Sequence, residues 1–308
     1  MITSLVGYTG FVGSNIASNN DFTNLYNSKN IEESFGTNPD LLVYAGVRAE
    51  KYLANQNAQG DFEIVKDAFD NIKKINPKQI VLISSIDVYK NPVDVDEDSE
   101  IEIDGLHPYG LNRYYLEQWI ENEFNNSLII RLPGLFGKNI KKNFIYDMIY
   151  VIPKMLNRGK FEEIRSVYPK IENYYIHENN GFYKCKDLTT QERDSLREIF
   201  NNIGFSALNF TDSRGVFQFY NLSRLWTHIQ IALEKGLHKL NLATEPVSIH
   251  EVYEYIKKEN FKNEISTTIP YYNYKTKYAE LFQGKNGYIC NREEVLKDIK
   301  SFVEGYNI

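Results

Sequence analysis

Residues 7–13, GYTGFVG, follow a short apolar stretch at Ile2–Val6 and stand at the start of a helical segment. Glycine permits a tight turn and close approach of the backbone, and a helix N-terminus presents unpaired N–H groups to an anion. Three glycines in this setting predict a loop that binds the pyrophosphate of a dinucleotide. A tight turn without a ligand is the alternative. The loop residues expected at the cofactor are Gly7, Thr9, Gly10, Phe11, Val12 and Gly13.

Strands and helices alternate over residues 1–137. Continuously apolar stretches occur at LLVYAGV (41–47), QIVLISS (79–85) and SLIIRLPGLFG (127–137). Between the first two, apolar residues recur with a helical period, and Pro108 suits the first position of a further helix. This alternation is typical of an α/β fold with a doubly wound parallel sheet that is covered on both faces.

Beyond residue 137 the pattern is less regular. We expect residues 138–308 to form a smaller, mixed second lobe, with 216–244 returning to the first domain. Helices are predicted in KKNFIYDMIYVIPKML and TQERDSLREIF, and Ser248 has capping-box spacing to Glu251. The acidic segment 94–104 is predicted to be a solvated surface loop.

Composition and charge restrict the class of protein. The chain has 308 residues and a net charge of −6 without a basic patch, so no nucleic-acid partner is predicted. Its apolar runs are too short to span a bilayer, and no signal peptide is recognised, so no membrane partner is predicted. Two isolated cysteines, Cys185 and Cys290, indicate reduced thiols in a cytoplasmic protein. The five histidines lack metal-ligand spacing, so no metal site is predicted.

The GxxGxxG spacing resembles the short-chain dehydrogenase/reductase superfamily. Other motifs resemble its extended branch, the NAD-dependent epimerase/dehydratase family, whose members modify nucleotide sugars. These motifs are YAGVRA (44–49), NAQGD (57–61), SSIDVY (84–89), PYGLNR (108–113) and RLPGLFG (131–137). The resemblance implies a Rossmann-type dinucleotide domain followed by a substrate lobe. By position in the motifs, it also implies cofactor contacts at Ala45, Gly46, Arg48, Asn57, Ser84, Tyr109, Arg113 and Pro133.

The end of the second predicted strand bears on the choice of dinucleotide. NAD-binding proteins usually place an acidic residue there, bonded to the ribose 2′-OH, but LYNSKNI (25–31) contains no acid. Asn27, Ser28 and Lys29 instead suit a 2′-phosphate, which favours NADP over NAD. A simple polar turn is the alternative.

The resemblance assigns proton transfer to Tyr109. A free tyrosine has a pKa of about 10, so it needs a neighbouring cation to act near neutrality. The spacing i, i+4 puts Tyr109 and Arg113 on one helix face. The family has lysine at the second position, and we expect Arg113 to contact the nicotinamide ribose and hold Tyr109 poised. Ser85 matches the hydroxyl residue that polarises the substrate carbonyl.

Asp87 occupies a position that holds a second acid–base residue in related enzymes. It suits proton abstraction next to a ketone, or it bonds a backbone N–H or a loop. The first acid of the dehydratase pair is replaced by Ile86, which disfavours a dehydratase. His107 is expected to begin the helix rather than to act in catalysis.

The resemblance implies an NAD(P)-dependent epimerase or reductase that acts on a nucleotide-activated sugar. A non-catalytic dinucleotide sensor or scaffold on the same fold is the alternative. Substrate contacts are expected from Lys141, Lys142, Asn143 and Arg214, although the two lysines also fit an ordinary surface. Related enzymes commonly dimerise through two long helices, which correspond here to Glu50–Ile75 and Tyr109–Asn125.

Overall fold

The computed structural model describes residues 1–178 and 181–306, and its chain divides into two compact units. The first unit comprises Met1–Ile140, Val216–Val247 and Pro270–Asp298. The second comprises Lys141–Gly215, Ser248–Ile269 and Ile299–Ile308.

The described residues form β-strands, α-helices and short 3₁₀ turns. The strands are β1 (Thr3–Val6), β2 (Asn24–Tyr26), β3 (Leu41–Tyr44), β4 (Ile80–Ser85), β5 (Ser127–Leu132), β6 (Gly134–Phe136), β7 (Met155–Asn157), β8 (Tyr175–His177), β9 (Phe182–Cys185), β10 (Val216–Phe217), β11 (Phe219–Asn221), β12 (Lys239–Asn241) and β13 (Val247–Ser248). The α-helices are α1 (Phe11–Ala17), α2 (Lys51–Gln56), α3 (Ala58–Ile75), α4 (Pro108–Glu123), α5 (Phe144–Tyr150), α6 (Arg158–Val167), α7 (Thr190–Asn202), α8 (Leu225–Glu234), α9 (Ile249–Lys257) and α10 (Arg292–Glu304). Short 3₁₀ turns lie at Ile31–Ser34, Ile86–Val88, Pro169–Asn173, Ala207–Phe210, Leu222–Arg224 and Ala279–Phe282.

A six-stranded parallel sheet, in the order β2-β1-β3-β4-β5-β12, forms the centre of the first unit. The strands β1, β3 and β5 are buried at every position, as expected for a sheet covered on both faces. The predicted fold class, a doubly wound parallel sheet with a smaller mixed unit, is therefore confirmed. Strand order reverses between β1 and β3, which is where ligands bind in open α/β sheets.

The helices α3 and α4 pack on this sheet through an apolar stripe. Val65 and Ile72 of α3 lie in one core cluster with Leu116 and Ile120 of α4. The predicted start of α4 at Pro108 is confirmed. The long helical segment predicted at Glu50–Ile75 is two helices in the structure, α2 and α3. The helix is interrupted at Asn57, whose φ of −130° is not helical.

Residues 270–298 differ from the domain division expected from the sequence. The sequence places them in the second lobe, whereas the structure places them in the first unit. Backbone hydrogen bonds join them there: Tyr272 N donates to Val216 O at 3.0 Å and Asn273 N donates to Pro92 O at 2.8 Å.

The acidic segment 94–104 is not a solvated loop throughout, so that prediction is wrong for Glu97. Its side chain is buried and accepts hydrogen bonds from Asn241 N at 2.7 Å, Thr276 Oγ1 at 2.6 Å and Lys277 N at 3.0 Å. These bonds attach the segment to β12 and to residues 270–298. Burial raises the pKa of Glu97, although the hydrogen bonds oppose that shift.

The second unit has its own sheet and core. The strands β7, β9 and β8 pair in antiparallel fashion, and Leu156 of β7 lies in one core cluster with Phe161 and Phe200. The helix predicted across residues 141–156 is confirmed only for α5, because Val151 has a φ of 63° and a strand follows. The predicted capping box of Ser248 and Glu251 begins α9. No helix within the described residues has the length and apolar character to cross a membrane.

Candidate active site

The glycine loop closes against the turn that follows β3. Gly7 has a φ of +90°, and a Cβ there would lie 2.4 Å from Ala45 O. A Cβ on Gly13 would lie 2.1 Å from Gly7 O, so these two positions admit only glycine. Gly10 is the N-cap residue directly before α1, and no side chain caps the helix. The loop thus joins a close backbone approach to an uncapped helix start at the switch point of the sheet, an arrangement that fits a pyrophosphate.

A compact polar turn follows β2, the strand next to β1. Asn27 Oδ1 accepts a hydrogen bond from Lys29 N at 2.8 Å, which shapes the turn. The side chains of Ser28 and Lys29 are exposed there. A hydroxyl and an ammonium group therefore lie at the end of the second strand, where dinucleotide-binding folds read the ribose 2′ position.

Tyr109 and Ser85 meet at the carboxyl end of β4. Ser85 ends that strand, and Tyr109 lies in the first turn of α4 with only 6% of its surface exposed. The helix approaches closely because residue 110 is glycine: a Cβ there would lie 2.0 Å from Asp87 O. Burial raises the pKa of Tyr109, while the charge of Arg113 and a hydrogen bond with the Ser85 side chain lower it. The geometry thus gives a buried phenol with a hydroxyl partner and a cation.

Arg113 stacks on the ring of Tyr109 and is held within the chain. Its Cζ lies 4.2 Å from the ring centroid, within the range of a cation–π contact. Its Nη1 donates to Asp61 Oδ2 and its Nη2 donates to Arg48 O at 2.5 Å. The side chains of Arg113 and Asp61 are 5% and 8% exposed, so this is a buried ion pair.

Asp61 was not predicted as a site residue, although its position on the helix indicates that it is buried. Asp61 lies on the buried stripe of α3, in register with Val65, Ala68 and Ile72. An acid on an otherwise apolar stripe is rarely buried without a partner, so the pattern predicts a buried cation nearby.

Asp87 belongs to a second polar cluster in the same unit. Lys51 Nζ lies 2.8 Å from Asp87 Oδ1, and Tyr272 OH donates to the same oxygen at 3.3 Å. Burial alone would lower the pKa of Lys51, but Asp87 and Tyr272 raise it. Burial also raises the pKa of Tyr272, and Asp87 adds to that shift. The sequence singled out neither Lys51 nor Tyr272, since their contacts with Asp87 span 36 and 185 residues.

No protein-family model and no curated protein matches this chain. Among solved structures, dTDP-4-dehydrorhamnose reductase from Bacillus anthracis in complex with NADP has a TM-score of 0.63 at 12% identity, covering 99% of this chain and 98% of that chain. RMD from Pseudomonas aeruginosa, complexed with NADPH, has a TM-score of 0.61 at 14% identity and 99% coverage of both chains. UDP-glucose 4-epimerase from Thermotoga maritima, with UDP-glucose, has a TM-score of 0.61 at 14% identity, covering 99% of this chain and 98% of that chain.

The chain shares the fold of these three structures. At identities of 12–14% the likeness establishes the fold alone.

A buried ionic network lies next to the candidate site and joins three elements of the first unit. Arg131 Nη2 lies 2.6 Å from Glu117 Oε2, and both side chains are at most 1% exposed. Ser84 Oγ donates to Glu117 Oε1 at 2.5 Å, and Arg131 Nη1 donates to Tyr89 OH at 2.6 Å. The network joins β4, α4 and β5. The hydroxyl of Ser84, a residue predicted at the cofactor, is thus engaged inside the protein.

Other predicted cofactor residues have local roles in this fold. Asn57 caps α3, since its Oδ1 accepts a hydrogen bond from Gly60 N at 3.0 Å. Arg48 supplies its carbonyl to Arg113, while its own side chain is exposed. Pro133 is half-buried between β5 and β6. His107 begins α4 as expected, and its Nδ1 accepts a hydrogen bond from Gly110 N at 3.0 Å.

The predicted substrate residues lie in the second unit. Lys141 and Lys142 are exposed. Asn143 caps α5 through hydrogen bonds from Ile145 N at 3.0 Å and Tyr146 N at 3.2 Å. Arg214 forms a bidentate pair with Asp212, from Nε to Oδ1 at 3.0 Å and from Nη2 to Oδ2 at 2.8 Å. That pair holds the pKa of Asp212 well below its usual range. Within residues 1–178 and 181–306, no group of histidine, cysteine and acidic side chains is arranged to hold a metal ion.

Proposed function

We propose that this protein is an NADP(H)-dependent epimerase or reductase of nucleotide-activated sugars. The observation that carries the proposal is the contact of Tyr109 with Ser85 and Arg113 at the carboxyl end of β4. Two of the solved structures with this fold are a sugar-nucleotide reductase and a sugar-nucleotide epimerase, which supports the same substrate class.

In this proposal Tyr109 exchanges a proton with the substrate hydroxyl or carbonyl oxygen. Ser85 donates a hydrogen bond from its hydroxyl to that oxygen and orients the phenol. Arg113 stabilises the phenolate when the proton has left, because its charge lies against the ring. The cofactor, when bound, supplies or accepts the hydride.

The residues that would hold NADP are those of the glycine loop and the turn after β2. The loop fits a pyrophosphate because Gly7 and Gly13 leave no room for a side chain and α1 begins uncapped. Ser28 and Lys29 would bind the 2′-phosphate. The complexes of two similar structures with NADP and NADPH support this choice over NAD.

Epimerisation and reduction differ in their use of the cofactor. A reductase consumes one NADPH for each ketone reduced, whereas an epimerase regenerates its cofactor. Incubating the protein with NADPH and a nucleotide 4-ketosugar, or with NADP+ and a nucleotide hexose, separates them. Loss of reduced nicotinamide absorbance equal to the ketosugar reduced supports the reductase, and conversion of the hexose to its epimer without net change in that absorbance supports the epimerase. Absence of any conversion, in the presence of dinucleotide binding, would contradict both.

The second candidate function is a non-catalytic dinucleotide sensor. The specific observation in its favour is the pairing of Arg113 with Asp61 and the Arg48 carbonyl, which occupies donors that we expected at the nicotinamide ribose. A sensor would bind NADP(H) and alter the binding of a partner protein without turning over any sugar.

A homodimer and a substrate-binding role of the second unit are also part of the proposal. Exposed apolar side chains on α2 and α3, at Tyr52, Leu53 and Ile64, support a contact between copies. A monomeric mass by light scattering would exclude the dimer. Lys141, Lys142, Asn143 and Arg214 remain candidates for the substrate diphosphate. Their alanine variants should raise KM more than they lower kcat, because such contacts bind ground and transition states alike.

A further inference from the structure

The charge of Arg113 is balanced by one carboxylate that the family resemblance does not assign. Asp61 is 8% exposed and lies in the first turns of α3. Its Oδ2 accepts a hydrogen bond from Arg113 Nη1 and another from Asn112 Nδ2 at 2.8 Å. Asn112 Nδ2 is also 3.2 Å from Ala58 O, so the start of α3 and the first half of α4 are joined at this point.

The orientation of the guanidinium follows from these contacts. Asp61 bonds one end of the group, and the carbonyl of Arg48 bonds the other end at 2.5 Å. Arginine is planar with donors in a fixed fork, so two anchored ends fix the plane of the group. That plane lies over Tyr109, with Cζ 4.2 Å from the ring centroid. A lysine has a single compact ammonium and could not be anchored at both ends in this way.

Burial makes the anion necessary. A cation that is 95% removed from water is stable only when it is paired and hydrogen-bonded. Asp61 is the acidic group paired with Arg113 among the described residues. Removing its charge would leave a buried arginine uncompensated beside Tyr109.

We infer that Asp61 is a positioning residue, which holds the Arg113 guanidinium against Tyr109 and limits the net positive field at the phenol. This inference rests on the proposed role of Tyr109 in proton transfer. It also explains how arginine replaces lysine here: the arginine acts through the ring of Tyr109, in a pair whose total charge is close to zero.

Other charged groups face Tyr109 from the surrounding elements. Burial raises the pKa of Tyr109, Arg113 lowers it, and Asp87 and Asp61 both raise it. His107 stacks on the ring with centroids 6.3 Å apart, and Lys51 of α2 pairs with Asp87. Arg113 and Asp61 therefore shift the pKa of Tyr109 in opposite directions. Removing either charge should move that pKa, whereas a purely structural role of Asp61 would leave it unchanged.

The test is a titration of Tyr109 by fluorine NMR in full-length protein labelled with 3-fluorotyrosine. The Tyr109→Phe variant identifies the signal among the 23 tyrosines. Asp61→Asn keeps a side-chain oxygen as acceptor but removes the charge, and it should lower the pKa of Tyr109. Arg113→Gln should raise it. Asp70→Asn, an exposed acid on the same helix, should leave it unchanged.

An unchanged or raised pKa of Tyr109 in a folded Asp61→Asn variant would overturn the inference. If that variant does not fold, the double variant Asp61→Asn/Arg113→Gln restores charge balance and should fold. Its Tyr109 should titrate above the wild-type value, because the larger effect, that of the arginine, is lost. A wild-type pKa in the double variant would equally overturn the inference. The titration needs no turnover, so a protein that shows these shifts but converts no nucleotide sugar would refute the proposed function and not the role of Asp61.

Discussion

Lys51 Nζ lies 2.8 Å from Asp87 Oδ1, two residues beyond Ser85 in the chain. Tyr272 OH donates a hydrogen bond to the same oxygen at 3.3 Å. The lysine side chain is 40% exposed and the aspartate 18%, so the pair is accessible without being fully solvated. A carboxylate beside Tyr109 suits removal of a proton from a carbon next to a ketone.

Replacing Asp87 with asparagine should slow the exchange of hydrogen between solvent and the carbon next to the ketone, while hydride transfer should be spared. We expect Asp87→Asn to slow deuterium uptake from solvent at the carbon beside the ketone by roughly a hundredfold or more, as for loss of a general base. Mass spectrometry of the recovered nucleotide sugar in heavy water measures it. Asp67→Asn, an exposed acid on α3, is the control. Unchanged uptake in Asp87→Asn would assign this aspartate to structure alone.

The cap of α4 should make stability depend on pH through His107. Its Nδ1 accepts a hydrogen bond from Gly110 N, which requires that nitrogen to be unprotonated. Burial lowers the pKa of His107, and the charge of Lys51 adds to the shift. The pKa of His107 in the folded state lies below the unfolded value of about 6.5. Between these two pKa values the unfolded state binds more protons than the folded state. Stability should therefore fall as pH decreases below about 6.5.

Thermal unfolding of the wild type and His107→Asn across this pH range measures the effect. Asparagine also caps helices but does not titrate, so the variant should lose less stability on acidification. His228, whose burial lowers its pKa to about 4, titrates in the same direction in both proteins, and the comparison cancels its contribution. Parallel pH profiles of the two proteins would refute the prediction.

Removing one partner of the buried pair of Arg131 and Glu117 should destabilise the fold much more than replacing both with apolar residues. Glu117→Gln leaves the arginine charge uncompensated and should reduce the free energy of unfolding by about 3–5 kcal/mol. The double variant Glu117→Leu/Arg131→Met removes both charges and should lose much less. Urea denaturation compares the three proteins. A double variant less stable than Glu117→Gln would show that the pair itself stabilises the fold.

The turn after β2 should determine the preference for dinucleotide. Lys29→Ala removes the ammonium proposed to contact the 2′-phosphate, and it should weaken NADPH binding by roughly tenfold with little effect on NADH. Fluorescence titration of both dinucleotides measures this difference. Lys66→Ala, an exposed lysine on α3, is the matched control. Equal losses of affinity for the two dinucleotides would argue against recognition of a 2′-phosphate by this turn.

Local patterns predicted the parts of the fold that depend on short-range physics. The glycines after β1, the apolar strands and the start of α4 at Pro108 each carry a signal within a few residues. The break at Asn57 was missed because its cap, through Gly60, lies within a segment that reads as one continuous helix.

The remaining features depend on contacts that are distant in sequence. Arg113 meets Asp61 across 52 residues, and Glu97 bonds Asn241 across 144. Composition made Glu97 look solvated, since most acids in an acidic run are exposed. Only the folded chain shows that Glu97 is buried and accepts hydrogen bonds from donors that are far away in the sequence.

Replacement of Tyr109 by phenylalanine removes the group that is proposed to exchange the proton with the substrate. The variant keeps the ring against Arg113 and loses only the phenolic oxygen, so dinucleotide affinity should remain close to the wild-type value. Conversion of a nucleotide 4-ketosugar with NADPH, or of a nucleotide hexose with NADP+, followed by chromatography of the products, should fall by about a hundredfold or more. Wild-type conversion by Tyr109→Phe would show that proton transfer occurs elsewhere and would contradict the proposed role of Tyr109.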